Sequence, residues 1–441
     1  MPENHPFTPR LHALVDVARR SYRIARTGFP FAWPTPRRIA ATWRWGRRLA
    51  ADIRRRRGED GLTVAVDISP LFDSLTGVGW YLHELLRELA DRPGLRLRLY
   101  DPTMFVGPGG PRPAAALPDG RAIEWVRREV TDELLVRRSW LAPLMRIVEP
   151  WLVAADGNRV VFAPNFVPPR PLAAAKGPLV ATVHDMTLHR TPWAMRPETR
   201  ADLERKLERT IARARAVITP TETVRAELLE RCGAPARAVH AVHEAGRLDH
   251  VPPGEPPPDV PARFVLHVGT IEPRKNVATL LDAWPRLRTA MPDAPPLVLC
   301  GKLGWRRESI EDELARATAE GWLRWLGYAP DETLRALYDR AALVVCPSHY
   351  EGFGLPLVEA MSAATPIVCS DIPVFREVAA DAALFVPPDD AAAWARTVGG
   401  LLSDPHRARD LAGRGTARVR DFSWRCTAER TLAVWSDAAG E

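Results

Sequence analysis

Long apolar runs are missing from this sequence. The nearest to one, Trp140 to Ala155, is interrupted by Arg146 and Glu149, and a membrane-spanning helix needs about 18 apolar residues in succession. No apolar stretch with a cleavage site follows Arg19 and Arg20, so no secretory signal is read and a cytoplasmic protein is expected. Cysteine is scarce. Cys232, Cys300, Cys346, Cys369 and Cys426 form an odd set without C-x-x-C spacing, which argues against a disulfide framework or a structural zinc site. Cys300, Cys346 and Cys369 lie in or beside apolar runs and read as core. Lysine is scarcer still: Lys176, Lys206, Lys275 and Lys302 are all there are, so arginine is the default cation.

What is present is ordinary for a soluble globular protein, with 46% hydrophobic and 26% charged residues. That composition excludes collagen-like and wholly disordered chains. A length of 441 residues allows two or three domains. The charge is uneven. Residues 1–60 hold fourteen arginines against five acidic residues, a net of +9, while the whole chain carries +7. The basic excess therefore belongs to this extension, and the body is slightly acidic. Phe29, Phe31, Trp33, Trp43 and Trp45 sit among its arginines, and Arg54 to Arg57 form a run. Arginine with tryptophan suits an anionic membrane surface. A solvated basic tail and a nucleic-acid contact are the alternatives, and no nucleic-acid partner is expected.

After Gly61 a regular pattern begins. Thr63 to Ile68 reads as a buried strand, followed by a turn holding Gly77 and Gly79. Leu82, Leu85, Leu86 and Leu89 then mark one face of a helix. Residues 95–100, 160–163, 179–183 and 216–219 read as further strands, and 198–214 as a helix. Val251 to Pro261 has six prolines in eleven residues and reads as a semi-rigid linker. The scheme then repeats, with strands at 264–268, 297–300, 323–326, 343–346 and 367–369. Helical patterns start at Asn276, where Pro285 is expected to kink or end the helix, and cover 331–341, 356–364 and 373–380. Strands alternating with helices predict parallel sheets. Two such units facing each other make a ligand cleft.

The segment Ser348 to Pro366, SHYEGFGLPLVEAMSAATP, is the most informative. A strand ends at Pro347, Gly352 and Gly354 make a loop, and Pro356 is placed as the first residue of a helix. The amides of Leu357 and Val358 would be free there, an anion site at the positive end of the helix dipole. Glu351 precedes the turn and Glu359 lies one turn inside the helix. A diphosphate at the helix start would set sugar hydroxyls near Glu351 and ribose hydroxyls near Glu359, and carboxylates accept from paired hydroxyls. A second segment, Val268 to Asn276 (VGTIEPRKN), places Arg274 and Lys275 after a glycine turn, a pair suited to a departing diphosphate. No Asp-x-Asp pair closes a strand to hold a metal on that diphosphate.

These residues resemble the retaining glycosyltransferases of family 4. The resemblance is firm over 262–435, looser over 63–250, and does not cover 1–60. It implies the α/β GT-B fold, two Rossmann-like parallel-sheet domains facing a cleft, with a C-terminal helix crossing back to the first. The expected division is a 1–60 extension, a 61–250 acceptor domain, a 251–261 linker, a 262–421 nucleotide-sugar domain and a 422–441 crossover. Glu351 and Glu359 match the E-x7-E motif: the first, with the backbone of Gly352, Phe353, Gly354 and Leu355, would meet the donor sugar, and the second the ribose. Lys275 matches the lysine that holds donor phosphates. The arginine usual five residues before it is Thr270 here, and Arg274 is the candidate substitute. The turn with Gly77 and Gly79 resembles the loop that approaches phosphate and acceptor. His184 of the Val183-His184-Asp185 strand end resembles the histidine near the reacting sugar, and Tyr328 the segment lining the nucleobase.

The resemblance also implies retention by front-face attack and no required metal or other cofactor. The body resembles bacterial mannosyl- and rhamnosyltransferases of cell-surface polysaccharide assembly. GDP-mannose is the favoured donor, with UDP- and dTDP-sugars as alternatives. A saccharide or lipid-linked saccharide is the expected acceptor, met at the inner face of the cell membrane with residues 1–60 in peripheral contact. A nucleotide-sugar epimerase and a non-catalytic adaptor of the same fold are the competing readings.

Overall fold

In a computed structural model of the chain, the residues described are 48–56, 58, 60–72, 75–106, 112–129, 149–304 and 310–440. Most of the arginine- and tryptophan-rich extension, and with it the expected membrane contact, lies outside them. The chain divides into Met1–Arg55 and Arg56–Glu441. In the first unit, described residues 48–55 are helical. All that follows concerns the second unit. Among the described residues no helix is long and apolar enough to cross a membrane.

Two parallel sheets carry the unit. The first holds β1 (Leu62–Asp67), β2 (Leu95–Val106), β3 (Ile123–Glu129), β4 (Val160–Ala163), β5 (Leu179–Thr182), β6 (Ala214–Thr219) and β7 (Val239–Ala241), in the order β3-β2-β1-β4-β5-β6-β7. The second holds β8 (Val265–Val268), β9 (Leu297–Cys300), β10 (Leu323–Gly327), β11 (Leu343–Cys346), β12 (Ile367–Ser370) and β13 (Ala383–Val386), in the order β10-β9-β8-β11-β12-β13. Central strands such as LTVAVD and LVVC are buried along their whole length, because helices cover both faces of a parallel sheet. The strand order reverses between β1 and β4 and between β8 and β11. In such sheets ligands bind beyond the strand ends at that reversal.

The helices that matter for the site are α1 (Gly77–Leu89), α2 (Pro197–Arg213), α3 (Glu222–Cys232), α4 (Val277–Ala290), α5 (Asp331–Arg340), α6 (Leu355–Ser362), α7 (Pro373–Ala379) and α8 (Trp424–Ala439). In α1, Leu82, Leu85, Leu86 and Leu89 form the buried face as their spacing predicts. Gly77 and Gly79 do not make a separate turn; they are already in the first helical turn after Thr76. Gly79 must lack a side chain, since a Cβ there would lie 2.9 Å from the Pro70 carbonyl oxygen. Pro285 neither kinks α4 to a stop nor ends it, for the helix runs on to Ala290. Trp284 and Leu287 flank the proline and are buried, and burying two such side chains, each ~2–3 kcal/mol, offsets the ~3 kcal/mol that an interior proline costs.

α8 leaves the second domain and packs on the first sheet. Trp435 is fully buried with its ring 4.9 Å from that of Phe162 on β4. A second tie between the domains is polar. Glu377 of α7 accepts the amides of Glu222 and Thr223 at 2.8 and 2.9 Å, the Thr223 hydroxyl at 2.6 Å and His243 Nε2 at 3.0 Å. A carboxylate from one domain thus caps α3 of the other.

Burial raises the Glu377 carboxyl, but the bonds from His243, Thr223 and Glu222 outweigh it and hold it at about 2. Glu377→Ala should cost about 1–2 kcal/mol of stability. Because the folded value is depressed, the difference between wild type and variant should be full above pH 4.5. It should shrink as the pH falls towards about 2, which thermal melts at stepped pH will read.

Candidate active site

The reversal in the second sheet makes neighbours of two loops far apart in the chain, one after β8 and one after β11. Asn276 stitches them: its amide donates to the Pro347 carbonyl at 3.1 Å and to the Pro388 carbonyl at 2.9 Å. Asn276 is left-handed at φ 54°, a conformation asparagine tolerates better than most residues. The His349 amide donates to the Arg274 carbonyl at 2.9 Å.

Between the loops lies Glu351, 7% exposed. Lys275 Nζ donates to its Oε1 at 2.5 Å, Ser348 Oγ to the same oxygen at 2.7 Å, and Arg274 Nη1 to Oε2 at 2.7 Å. Arg274 is itself held by Glu272, Nη2 to Oε1 at 2.8 Å, and by the Tyr350 carbonyl at 2.9 Å. Burial alone would raise the Glu351 carboxyl; the Lys275 ammonium and the Arg274 guanidinium more than reverse that and bring it down to about 2. Glu351 is therefore an anion at any physiological pH. The two expected cations meet on it, while Thr270 is exposed on the same loop without a charge to add. Beneath the loop, His267 is buried and donates through Nδ1 to the Val345 carbonyl at 3.0 Å. Burial lowers it to about 4, so it is neutral.

The turn after Glu351 carries two glycines for different reasons. Gly354 stands at φ 101°, and a Cβ there would be 2.9 Å from the Phe375 ring. Gly352 has ordinary backbone but touches the other domain: a Cβ would be 1.8 Å from the His184 carbonyl oxygen. The Gly352 carbonyl accepts from Thr221 Oγ1 at 3.0 Å. Helix α6 starts at Leu355, so Pro356 is its second residue and not its first. The Leu357 amide is not free, because it donates to the Gly354 carbonyl at 2.9 Å. The side chains of Leu357 and Val358 are fully buried. Phe353 faces an aromatic cluster with Phe422 at 5.7 Å, so what it offers a ligand is backbone.

Glu359, 4% exposed, accepts from Tyr338 Oη at 2.8 Å and stands 3.3 Å from Arg247 Nε. Burial raises its carboxyl, and Arg247 opposes the rise. Tyr328 is 56% exposed with Lys302 Nζ 5.1 Å from its ring centroid.

In the first domain, His184 lies beside the Gly352 contact. Its Nε2 donates to the Pro164 carbonyl at 2.8 Å, and its Nδ1 is 2.9 Å from Glu244 Oε1. Both ring nitrogens are thus engaged within the protein. Burial would lower its pKa, but Glu244 and Pro164 carry it above the ordinary value. Gly77 has open space around it at the start of α1. Asp67, at the end of β1, is pushed up to about 6 by burial against the opposing bonds from Ser69.

Sequence reasoning missed several partners. Ser348 was within reach, three residues before Glu351 on a turn. Glu272 was as near, two residues before Arg274, whereas Tyr338 and Arg247 carried no local signal, since their meaning comes only from contact with Glu359. The inter-domain bonds of Tyr350, which accepts the Met186 amide at 2.8 Å and donates to Glu227 at 2.7 Å, join residues more than a hundred positions apart.

The Gly352 contact yields a direct test. Gly352→Ala should force the two strand-end loops apart at His184 and cut the expected sugar transfer about 10²-fold, the usual loss when reacting groups are misplaced by ~1 Å. The nucleotide binding expected of the second domain should survive, which equilibrium binding alongside a transfer assay will show.

Residues 75–245 match the family described as Glycosyltransferase Family 4, and residues 254–418 the family Glycosyl transferases group 1. The O-antigen chain mannosyltransferase B of Escherichia coli is 32% identical over 380 residues, covering 83% of this chain and 97% of that protein. The phosphatidyl-myo-inositol mannosyltransferase of Mycolicibacterium smegmatis is 32% identical over 316 residues, 67% of this chain and 75% of its own length. Among solved structures, sucrose-phosphate synthase from Thermosynechococcus elongatus superposes with a TM-score of 0.64 over 85% of this chain and 98% of that one, at 21% identity. The Anabaena protein HepE in complex with UDP and glucose also gives 0.64, over 85% of this chain and all of the other, at 16% identity. At such identities these two likenesses speak for the fold alone.

Proposed function

The chain belongs to glycosyltransferase family 4, a nucleotide-sugar-dependent transferase, and from that premise we propose that it moves a mannosyl residue from GDP-mannose onto a saccharide or lipid-linked saccharide during cell-surface glycan synthesis. The observation that carries the reading is the convergence of Lys275, Arg274 and Ser348 on the one buried carboxylate of Glu351 at the sheet reversal. The choice of mannose is supported by relatives whose names specify mannosyl transfer. A lipid-linked acceptor is supported by the basic, tryptophan-rich composition of residues 1–60.

The donor sugar lies against Glu351 and the backbone of Gly352 to Leu355. The diphosphate lies towards Lys275, Arg274 and the start of α6. As the glycosidic bond breaks, negative charge builds on the leaving diphosphate, and the two cations stabilise it in a water-poor cleft. Together they supply the charge compensation that a divalent metal gives in other transferases, so no metal is required. Glu351 is anchored by three donors and serves to orient sugar hydroxyls, not to attack. Retention then proceeds on the front face, with the departing phosphate taking the acceptor's proton. His184, fixed at both nitrogens, acts through its position beside Gly352 and the reacting sugar.

Glu351→Gln and Lys275→Ala should each reduce turnover by about 10²-fold or more. Near-normal turnover in either would remove that residue from the mechanism. Incubation with GDP-mannose, UDP-glucose and a dTDP-hexose, with and without a mannose-terminated acceptor, should give product with GDP-mannose only. Proton NMR of that product should show the anomeric configuration of the donor, and added chelator should leave the rate unchanged.

A further inference from the structure

Arg247 has no part in the mechanism above, yet it sits against Glu359, the second carboxylate of the E-x7-E motif. It follows β7 and precedes the proline-rich segment, in a stretch bound to the second domain: Arg335 Nη1 donates to the Leu248 carbonyl at 3.0 Å, and the Gly254 amide to the Glu332 carbonyl at 2.9 Å. Its side chain is 11% exposed. Nη1 lies 2.5 Å from Asp331 Oδ1, Nε 3.3 Å from Glu359 Oε1, and Cζ 4.5 Å from the ring centroid of Trp80 in the first turn of α1. The guanidinium is thus fixed between two carboxylates of the second domain and an aromatic face of the first.

We propose that Arg247 is a positioning residue that keeps Glu359 ionised and aimed, and so makes the nucleoside subsite select ribonucleoside diphosphates over their 2′-deoxy counterparts. The inference rests on the reading of Glu359 as the ribose contact. Tyr338 Oη occupies Oε2, and Oε1 faces Arg247 at a distance long for a hydrogen bond. Oε1 is therefore the atom with acceptor capacity to spare for a sugar hydroxyl. Only the ionised carboxylate accepts on every lone pair. A carboxylate this deeply buried takes up a proton unless a cation opposes it. The groups that face Glu359 are Arg247, the Tyr338 phenol, Asp331 and Asp249, with the Cys300 and Cys346 thiols nearby. Burial holds both thiols and the phenol in their protonated forms. The two aspartates push Glu359 further towards neutrality, and Arg247 is the cation that pushes back. A site built to bond a hydroxyl discriminates strongly against the analogue that lacks it.

The test is calorimetric titration of the full chain with GDP, 2′-deoxy-GDP, UDP and 2′-deoxy-UDP from pH 6 to 8, in wild type, Arg247→Lys and Arg247→Gln. Wild type should prefer the ribo form of whichever nucleotide it binds by about tenfold or more, with affinity flat across the range. Arg247→Lys, which keeps the charge, should retain most of that preference. Arg247→Gln should bind the ribonucleotide roughly ten- to a hundredfold more weakly, lose the ribo preference, and gain affinity as the pH rises and Glu359 ionises. An unchanged ribo preference and a flat profile in Arg247→Gln would overturn the inference while leaving the transferase reading intact. Failure of wild type to bind any nucleotide would overturn both. Should Arg247→Gln not fold, wild type decides alone, because indifference to the 2′-hydroxyl overturns the inference.

Discussion

One buried carboxylate organises the second domain's site. Glu351 is shared by an ammonium, a guanidinium and a hydroxyl, all within 2.7 Å. None of these groups is stable there without the others. A lone Glu351 at that depth would be protonated, and a lone Lys275 or Arg274 would seek water. Their mutual neutralisation lets a dense set of charges sit together between the two loops, and under the proposed function each is already aimed before a donor arrives. The cost of assembling them is met in folding and is not repeated at each turnover, which is the physical meaning of preorganisation.

The sheet order makes that assembly possible. β8 and β11 are adjacent in space because the strand order reverses between them. The loop holding Arg274 and Lys275 therefore lies beside the loop holding Glu351. The first domain then closes against the second through contacts that tolerate little change, with a glycine at the His184 carbonyl, a tyrosine on Glu227 and a carboxylate capping α3.

How far the sequence could be read depended on how local the cause was. Central strands were legible because full burial demands continuous apolar runs. β3, β7 and β13 were not, and each is an edge strand of its sheet, although the edge strand β10 was read; β3 (IEWVRRE) is polar and β7 (VHA) short, as pairing on one side only allows. The E-x7-E segment was legible because its glycines and proline are tied to one turn. The details of that turn were not: Pro356 is the second helical residue, and the Leu357 amide closes on Gly354. Arg274 could be suspected from its neighbour Lys275, but only the geometry joins both to one carboxylate. Arg247 was invisible, since its partners Trp80, Asp331 and Glu359 lie far from it in the chain.

The last helix carries a consequence for synthesis. α8 is made after every strand of both sheets, yet it covers strands of the first sheet and buries Trp435 against Phe162. During translation the second domain has its complete set of strands before this helix emerges, while the first, although begun earlier, still has an uncovered apolar face. Domains generally complete in the order in which they are synthesised. Here the order is inverted: the earlier domain is finished by a helix made after the second domain's strands, and an apolar face of the first sheet stays uncovered until that helix leaves the ribosome.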